Sequence, residues 1–226
     1  MSDNNASESV IAIIGGGLGG LALAIAFNRL NVRYRIYEAS AKFSEVGAGI
    51  SFLPNAVQAI NLIDPTLWTS LEGSDIITYD QNPVVSQIRV HCGQKRLQQY
   101  SFGDEIVTLP KFSEDDKGRC GAHRAQLLDE MIKHVSPDNA VFNKKMVDIK
   151  ELEDGRVEIS FSDGTSVQAL AAICCDGIHS RARSIVLGPK DSAVQPRYAG
   201  AYVYRALVKQ EEAERILGED WSRNGY

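Results

Sequence analysis

Apolar and polar positions change their rhythm several times along the chain. Val10–Ile14 is a short run of β-branched and apolar residues, the pattern of a buried strand. A glycine cluster follows it. Leu21–Leu30 then carries Leu, Ala, Ile and Phe on nearly every face, which predicts a buried helix. In Arg33–Glu38 the polar Arg33 and Arg35 alternate with Tyr34 and Ile36, a second strand. Strand, glycine turn, helix and strand form a βαβ unit, and such a unit implies a parallel sheet.

Beyond it, Asn55–Leu62 reads as a helix opened by Pro54, and Ile76–Tyr100 as several short strands with a turn at Cys92–Gly93–Gln94. Glu114–Gly118 is a charged loop. Leu127, Leu128, Met131 and Ile132 give Ala125–His134 a helical apolar stripe, which Ser136–Pro137–Asp138 stops. Met146–Leu152, Val157–Phe161 and Ser166–Ala169 are strands of a meander, with turns at Asp154–Gly155 and Asp163–Gly164. Ala171–Cys175 is a fully apolar return strand ending in Asp176–Gly177. The parallel sheet is therefore interrupted, whereas a plain dehydrogenase would continue in regular βα alternation.

Composition narrows the class. The 226 residues are 44% hydrophobic and 23% charged, ordinary values for a globular chain. A net charge of −5 without a basic excess argues against nucleic acid as a partner. Val10–Phe27 is nearly uncharged, but it is broken by five glycines and preceded by Asp3 and Glu8 without Lys or Arg. It fits neither a signal peptide nor a membrane span, so no membrane partner is expected. Cys92, Cys120, Cys174 and Cys175 form no CxxC pair or zinc spacing, so no metal is expected. Cys174 and Cys175 read as small buried residues, and a reducing, cytoplasmic setting fits.

The candidate chemistry begins at Gly15–Gly16–Gly17–Leu18–Gly19–Gly20, which contains GxGxxG at Gly15, Gly17 and Gly20. In this context the first glycine permits a tight turn, the second a close approach of backbone to pyrophosphate, and the third close helix packing. The helix N-terminus adds unpaired N–H groups and about half a positive charge. Glu38 ends the second strand, where a carboxylate can accept hydrogen bonds from both hydroxyls of an adenosine ribose. It would repel a 2′-phosphate. The alternative is a glycine-rich turn beside a surface Glu. The spacing does not decide between NAD and FAD.

Further segments bear on that choice. Glu45–Val46–Gly47–Ala48–Gly49–Ile50, followed by Pro54–Asn55–Ala56, resembles the loop after the second strand in FAD-dependent aromatic monooxygenases. His123–Arg124–Ala125–Gln126–Leu127 resembles that family's HR-x-x-L segment. Cys175–Asp176–Gly177–Ile178–His179–Ser180–Arg181–Ala182–Arg183 resembles its DG motif, and Tyr204–Arg205, within Gly200–Val208, a strand of its substrate domain. Together with the glycine loop these resemble the salicylate-hydroxylase-like group, particularly its fungal members, over residues 9–208.

The resemblance implies an α/β fold: a Rossmann-like FAD-binding domain, glutathione-reductase-type with a β meander, interrupted by the start of a β-rich substrate domain. The implied division is 9–72 for the FAD-binding βαβ unit and adjoining helices, 73–112 for a β-rich insertion, 113–190 for the FAD-binding domain continued, and 191–226 for the start of the substrate domain. FAD is the implied cofactor, with NADH or NADPH as co-substrate. The implied partners are a small aromatic, phenolic substrate and O₂. Gly49, Ser51, Arg124 and Asp176 join Gly15, Gly17, Gly20 and Glu38 as implied cofactor-binding residues, and Arg205 is the implied catalytic residue.

Each of these residues also has a reading of its own. Gly47 and Gly49 allow backbone to lie flat against a ring. Arg124 can donate to a phosphate or a flavin carbonyl, or be an ordinary solvated arginine. Asp176 suits a helix N-cap, and the resemblance adds a place in a pyrophosphate and nicotinamide network. Arg183 is a candidate ion-pair partner. Arg205 can hold a phenolate, or lie on an edge strand in water. His91, His134 and His179 belong to no nucleophile elbow, and Glu211–Glu214 reads as a solvated helix face. No segment after Asp176 matches the family's later Gly-Asp motif, so the expectation is a piece of a longer protein or a shortened homologue. Three functions follow: an FAD-dependent monooxygenase, with secondary metabolism as a candidate setting; a truncated or repurposed flavin or dinucleotide-binding module without hydroxylase activity; and an NAD-dependent dehydrogenase, which the DG segment and interrupted sheet disfavour.

Overall fold

In the computed structural model the described residues are 10–43, 49–79, 88–92, 96–97, 99–109, 120–200, 208–219 and 222. The centre is a parallel sheet of β1 (Ile11–Ile14), β2 (Tyr34–Tyr37), β10 (Ala140–Val141) and β14 (Ala171–Cys174), in the order β10-β2-β1-β14. From β1 the chain moves outward through helix α1 (Leu18–Arg29) to β2, and later returns to the other side of β1 as β14. The direction of the strand order thus reverses at β1. In open α/β sheets ligands bind at the carboxyl ends of the strands at that crossover.

The alternation along β1 and β2 sends side chains to two cores. Ile13, Tyr34 and Ile36 pack with α1, α2 (Pro54–Ile63), α3 (Pro65–Gly73) and α4 (Arg124–Ile132). Ala12, Ile14 and Tyr37 pack on the other face against an antiparallel meander of β11 (Met146–Glu151), β12 (Val157–Phe161) and β13 (Ser166–Ala169). Gly155 and Gly164 make its turns at φ 81° and 83°, a region L-residues rarely adopt. Helix α5 (Arg181–Leu187) follows β14, and α6 (Gln210–Leu217) is an exposed acidic helix whose Arg215 pairs with Glu212.

A second small sheet pairs β3 (Gly49–Phe52) with β9 (Cys120–His123), and β9 with β4 (Ile77–Tyr79), all antiparallel. β5 (Ile88–His91) pairs with β8 (Glu105–Leu109), and β6 (Arg96–Leu97) with β7 (Tyr100–Ser101). The expected run of short strands across 76–100 is present. The turn expected at residues 92–94 lies partly, and the charged loop at 114–118 wholly, outside the described residues.

Several boundaries differ from the pattern. The first helix begins at Leu18 and takes Gly19 and Gly20 into its first turn, because close packing against the loop, not propensity, sets its start. The signal for α3 was present: Asp64 caps Thr66 N at 2.8 Å and Pro65 occupies the first helical position. β3 and β9 are short and rich in glycine, and only their pairing identifies them. β14 is apolar but not fully buried: as an edge strand it leaves Ile173 38% exposed. Its Cys174 and the following Cys175 are half-buried. Burial, reinforced by Asp176, raises the Cys174 thiol to about 11, so it remains protonated at neutral pH.

One buried charge ties two helices together. Glu130 of α4 is 5% exposed and accepts from Ser70 of α3 at 2.7 Å and from Lys133 at 2.5 Å. Lys133 first, then Ser70, holds its carboxyl below the ordinary range. That stabilisation is complete above the unfolded-state value of about 4.3 and is lost as pH falls through the lower folded-state value. Glu130→Gln should lower stability at pH 7 by about 1–2 kcal/mol and flatten the loss of melting temperature on acidification, as read by circular dichroism across pH.

Candidate functional site

The site lies where β1 and β14 end side by side. Cys175 N donates to Ile14 O at 2.7 Å, and Gly15 N to Tyr37 O at 2.9 Å, so the first glycine is bound between neighbouring strands. Gly15 sits at φ 101°, and a Cβ there would lie 2.5 Å from Cys175 O. A Cβ on Gly20 would lie 2.0 Å from Gly15 O, an impossible contact. These two glycines are required by the protein's own packing. Gly17 differs: among the described residues nothing lies within 4 Å of the Cβ position there. It is the N-cap of α1, and no side chain caps that terminus. The glycine triplet therefore divides into two members required by packing and one, Gly17, with open space beside it at the helix N-terminus.

Gly16, which the motif leaves unspecified, is also constrained. A Cβ would meet Phe43 Cε1 at 2.5 Å and Glu38 Oε2 at 3.1 Å. Phe43 packs edge-on against Phe142 at 4.8 Å between ring centres, so it has little room to retreat. The tertiary fold alone brings Phe43 to the loop, and nothing in the local sequence pattern marks it.

Glu38 directs both oxygens at backbone N–H groups. Oε2 accepts from Gly16 at 2.6 Å and Oε1 from Ser40 at 2.8 Å. Its own N–H and carbonyl join Val141 and Lys144. The carboxylate is thus fixed over the glycine loop by charge-assisted bonds, and its remaining lone pairs can accept further donors.

On the other side of the loop, the DG turn is held from within. Asp176 Oδ2 accepts from Ala182 N at 3.1 Å, and Ser180 Oγ from Arg183 N at 3.0 Å, so both residues cap α5. Gly177 turns at φ 77°. Arg183 was expected as an ion-pair partner. Instead its guanidinium donates to the carbonyls of Gly177, Ile178 and Val194 at 3.1–3.3 Å. Its several N–H donors thus join the DG turn to the segment that follows α5.

The remaining expected residues lie on the second small sheet. Gly49 is paired with His123 and Ser51 with Gly121. Arg124 begins α4 immediately after, and α4 packs on α1 through the core that Leu127 and Leu128 share with Leu21 and Ala24. The register thus joins Gly49, Ser51 and the HR segment, as a group separate from the glycine loop, Glu38 and Asp176. His123, which precedes Arg124, has an Nδ1 that is shielded from water and finds no hydrogen-bond partner among the described residues. Gly47, Tyr204 and Arg205 lie outside the described residues. A groove of about 400 Å³ lined by Val10, Phe27, Arg33, Tyr34 and Arg35 opens at the opposite ends of β1 and β2, away from all these groups. Among the described residues no helix is long and apolar enough to cross a membrane.

The chain is related to known proteins over nearly its whole length. It is 34% identical over 220 residues to the FAD-dependent monooxygenase eupB of Phoma sp, covering 97% of this chain and 49% of that protein. It is 32% identical over 218 residues to the salicylate hydroxylase asL1 of Sarocladium schorii, covering 96% and 45%. Its fold matches 2,6-dihydroxypyridine-3-hydroxylase from Arthrobacter nicotinovorans with a TM-score of 0.62 and 23% identity, over 86% of this chain and 42% of that one. No family model matches. The resemblance to fungal FAD-dependent monooxygenases, salicylate-hydroxylase-like members included, therefore holds, and the chain spans about half the length of these curated relatives. The α/β architecture with its parallel sheet is that of flavin monooxygenase structures.

The two kinds of glycine separate experimentally. Gly20→Ala should cost about 1–3 kcal/mol or more through overpacking. Gly17→Ser keeps a good helix cap and should leave the melting temperature of the ligand-free chain at or above wild type. Thermal unfolding of both variants checks this.

Proposed function

We propose that this chain carries the dinucleotide-binding part of an FAD-dependent monooxygenase that hydroxylates a phenolic small molecule with NADH or NADPH and O₂. The observation that carries the reading is the glycine cradle at the strand crossover, open at Gly17 and flanked by Glu38 on one side and the DG turn on the other. The names of the relatives supply the chemistry: FAD-dependent monooxygenase and salicylate hydroxylase. In this reading residues 9–72 and 113–190 form the FAD-binding domain, 73–112 a β-rich insertion, and 191–226 the start of a substrate domain, with the glutathione-reductase-type arrangement.

The residues present fit the group. A pyrophosphate has room at Gly17 and the uncapped N-terminus of α1, with Gly15 and Gly20 shaping the turn. Glu38 can accept from the ribose hydroxyls while keeping its bonds to Gly16 and Ser40. Gly49, Ser51 and Arg124 would line the remainder of the dinucleotide, and Asp176 would sit beside the pyrophosphate. Bound FAD would supply the electron transfer and oxygen chemistry; the protein supplies orientation and a dry site. Arg205 would hold the phenolate form of the substrate by charge-assisted hydrogen bonds.

A second reading is a dinucleotide-binding module without hydroxylase activity. NAD(P)H consumption and product formation with a panel of phenols separate the two. For the cofactor itself, Glu38→Ala should raise the FAD Kd by about one to two orders of magnitude in calorimetry, through two lost charge-assisted hydrogen bonds. Gly17→Ser should weaken FAD binding without loss of fold. Unchanged FAD affinity in Glu38→Ala would reject the ribose assignment.

In a turnover-competent form, Arg205→Lys should lower product formation by about one to three orders of magnitude while flavin content stays near wild type, because lysine lacks the planar fork. Normal turnover in that variant removes Arg205 from the site.

A further inference from the structure

Two backbone segments meet at Glu38. Glu38 N donates to Val141 O at 2.9 Å, Lys144 N to Glu38 O at 2.8 Å, and Asn143 N to Ser40 O at 3.0 Å. The segment that follows β10 is therefore laid along residues 38–40. It is itself anchored, since Lys144 Nζ donates to Asp163 at 2.6 Å and to Thr165 at 2.7 Å in the turn between β12 and β13. Phe142 lies in this segment and meets Phe43 edge-on, with 4.8 Å between ring centres and 81° between planes. That is a favoured aromatic geometry, so the anchored segment fixes the Phe43 ring.

Phe43 in turn reaches the glycine loop. The point where a Gly16 Cβ would stand is 2.5 Å from Phe43 Cε1, 2.9 Å from Phe43 Cδ1 and 3.1 Å from Glu38 Oε2. Ring and carboxylate oxygen thus converge on the same side of Gly16. That oxygen is the one that accepts from Gly16 N at 2.6 Å, a partly buried bond, whereas the bond from Ser40 N to Oε1 is exposed. A glutamate side chain samples several rotamers in water, and confining it to one costs entropy. A ring beside the Gly16 bond takes space into which the carboxylate could turn, and it hinders water from competing for the N–H.

We propose that Phe43 is a positioning residue: its ring holds the Glu38 carboxylate on Gly16, in the orientation from which the remaining lone pairs accept the ribose hydroxyls. This rests on the FAD reading above. Phe43 acts through Glu38 rather than on the ligand. The fixed ring, not the glutamate alone, then decides how well the ribose is held.

The test is a double-mutant cycle in the 226-residue chain, read by calorimetric titration with FAD and by thermal unfolding of each variant. Phe43→Ala is made alone and together with Glu38→Ala. Alone, it should raise the FAD Kd by about five- to tenfold. In the Glu38→Ala background it should raise the Kd by less than about twofold, because the group it positions is gone. Phe43→Tyr keeps the ring and should bind FAD within about threefold of wild type. Phe43→Leu takes the place of Phe43→Ala in the cycle if the alanine variant does not fold.

An equal loss of affinity in both backgrounds overturns the proposal, because the ring then acts on the ligand or the loop without Glu38. Wild-type affinity in a folded Phe43→Ala chain overturns it, as does a Phe43→Tyr chain as weak as Phe43→Ala. Failure of both the alanine and leucine variants to fold makes the ring structural and also overturns it. Each of these results leaves the FAD reading standing. A wild-type chain with no measurable affinity for FAD overturns both.

Discussion

The backbone of Gly20 lies so close to the carbonyl of Gly15 that no side-chain carbon fits between them. That contact sets the angle at which α1 leaves β1, and the angle decides where the helix N-terminus points. Because Gly15 in turn lies against Cys175, the same contact fixes the glycine loop to the end of β14 and hence to the DG turn. Two segments far apart in the chain, the glycine loop with its helix and the end of β14, are joined by close backbone approach. The helix terminus can face a ligand because this packing is rigid, not because any side chain aims it.

Around that joint, charged side chains act mainly on backbone groups. Glu38 accepts from the N–H groups of Gly16 in the glycine loop and of Ser40, Asp176 accepts from Ala182 N in the first turn of α5, and Arg183 donates to the carbonyls of Gly177 and Ile178 in the DG turn and of Val194 beyond α5. Each makes an irregular segment definite by satisfying polar groups that neither helix nor strand pairs. These side chains thus hold the shape of the loops to which a dinucleotide would bind. A substitution at Glu38 is therefore expected to disturb the shape of the glycine loop itself.

The small sheet adds a different kind of surface. One face is apolar and completes the helix-side core; the other carries Gly49, Gly121, Ser51, Thr78 and His123. Its register, rather than any motif, unites Gly49, Ser51 and the HR segment. Glu130, buried between α3 and α4, fixes the helices beneath that sheet through Ser70 and Lys133.

Much of the architecture was legible along the chain because local periodicity reports burial directly. β1, β2 and the meander appear close to their expected limits, and the order of strand, glycine loop, helix, strand and Glu38 pointed to the crossover site. What the sequence alone could not carry depends on contacts between distant segments. The roles of Gly17 and Gly20 differ only because Gly15 O stands beside one and open space beside the other. Phe43 reaches Gly16, and Arg183 reaches carbonyls instead of a carboxylate, for reasons no spacing rule contains. β3 and β9 are too short and too rich in glycine for propensity to reveal them, and they exist because they pair. Sequence determined which residues can turn, pair or bury; tertiary structure decided which atoms of those residues the protein uses itself and which it leaves for a ligand, since that division is set by distance.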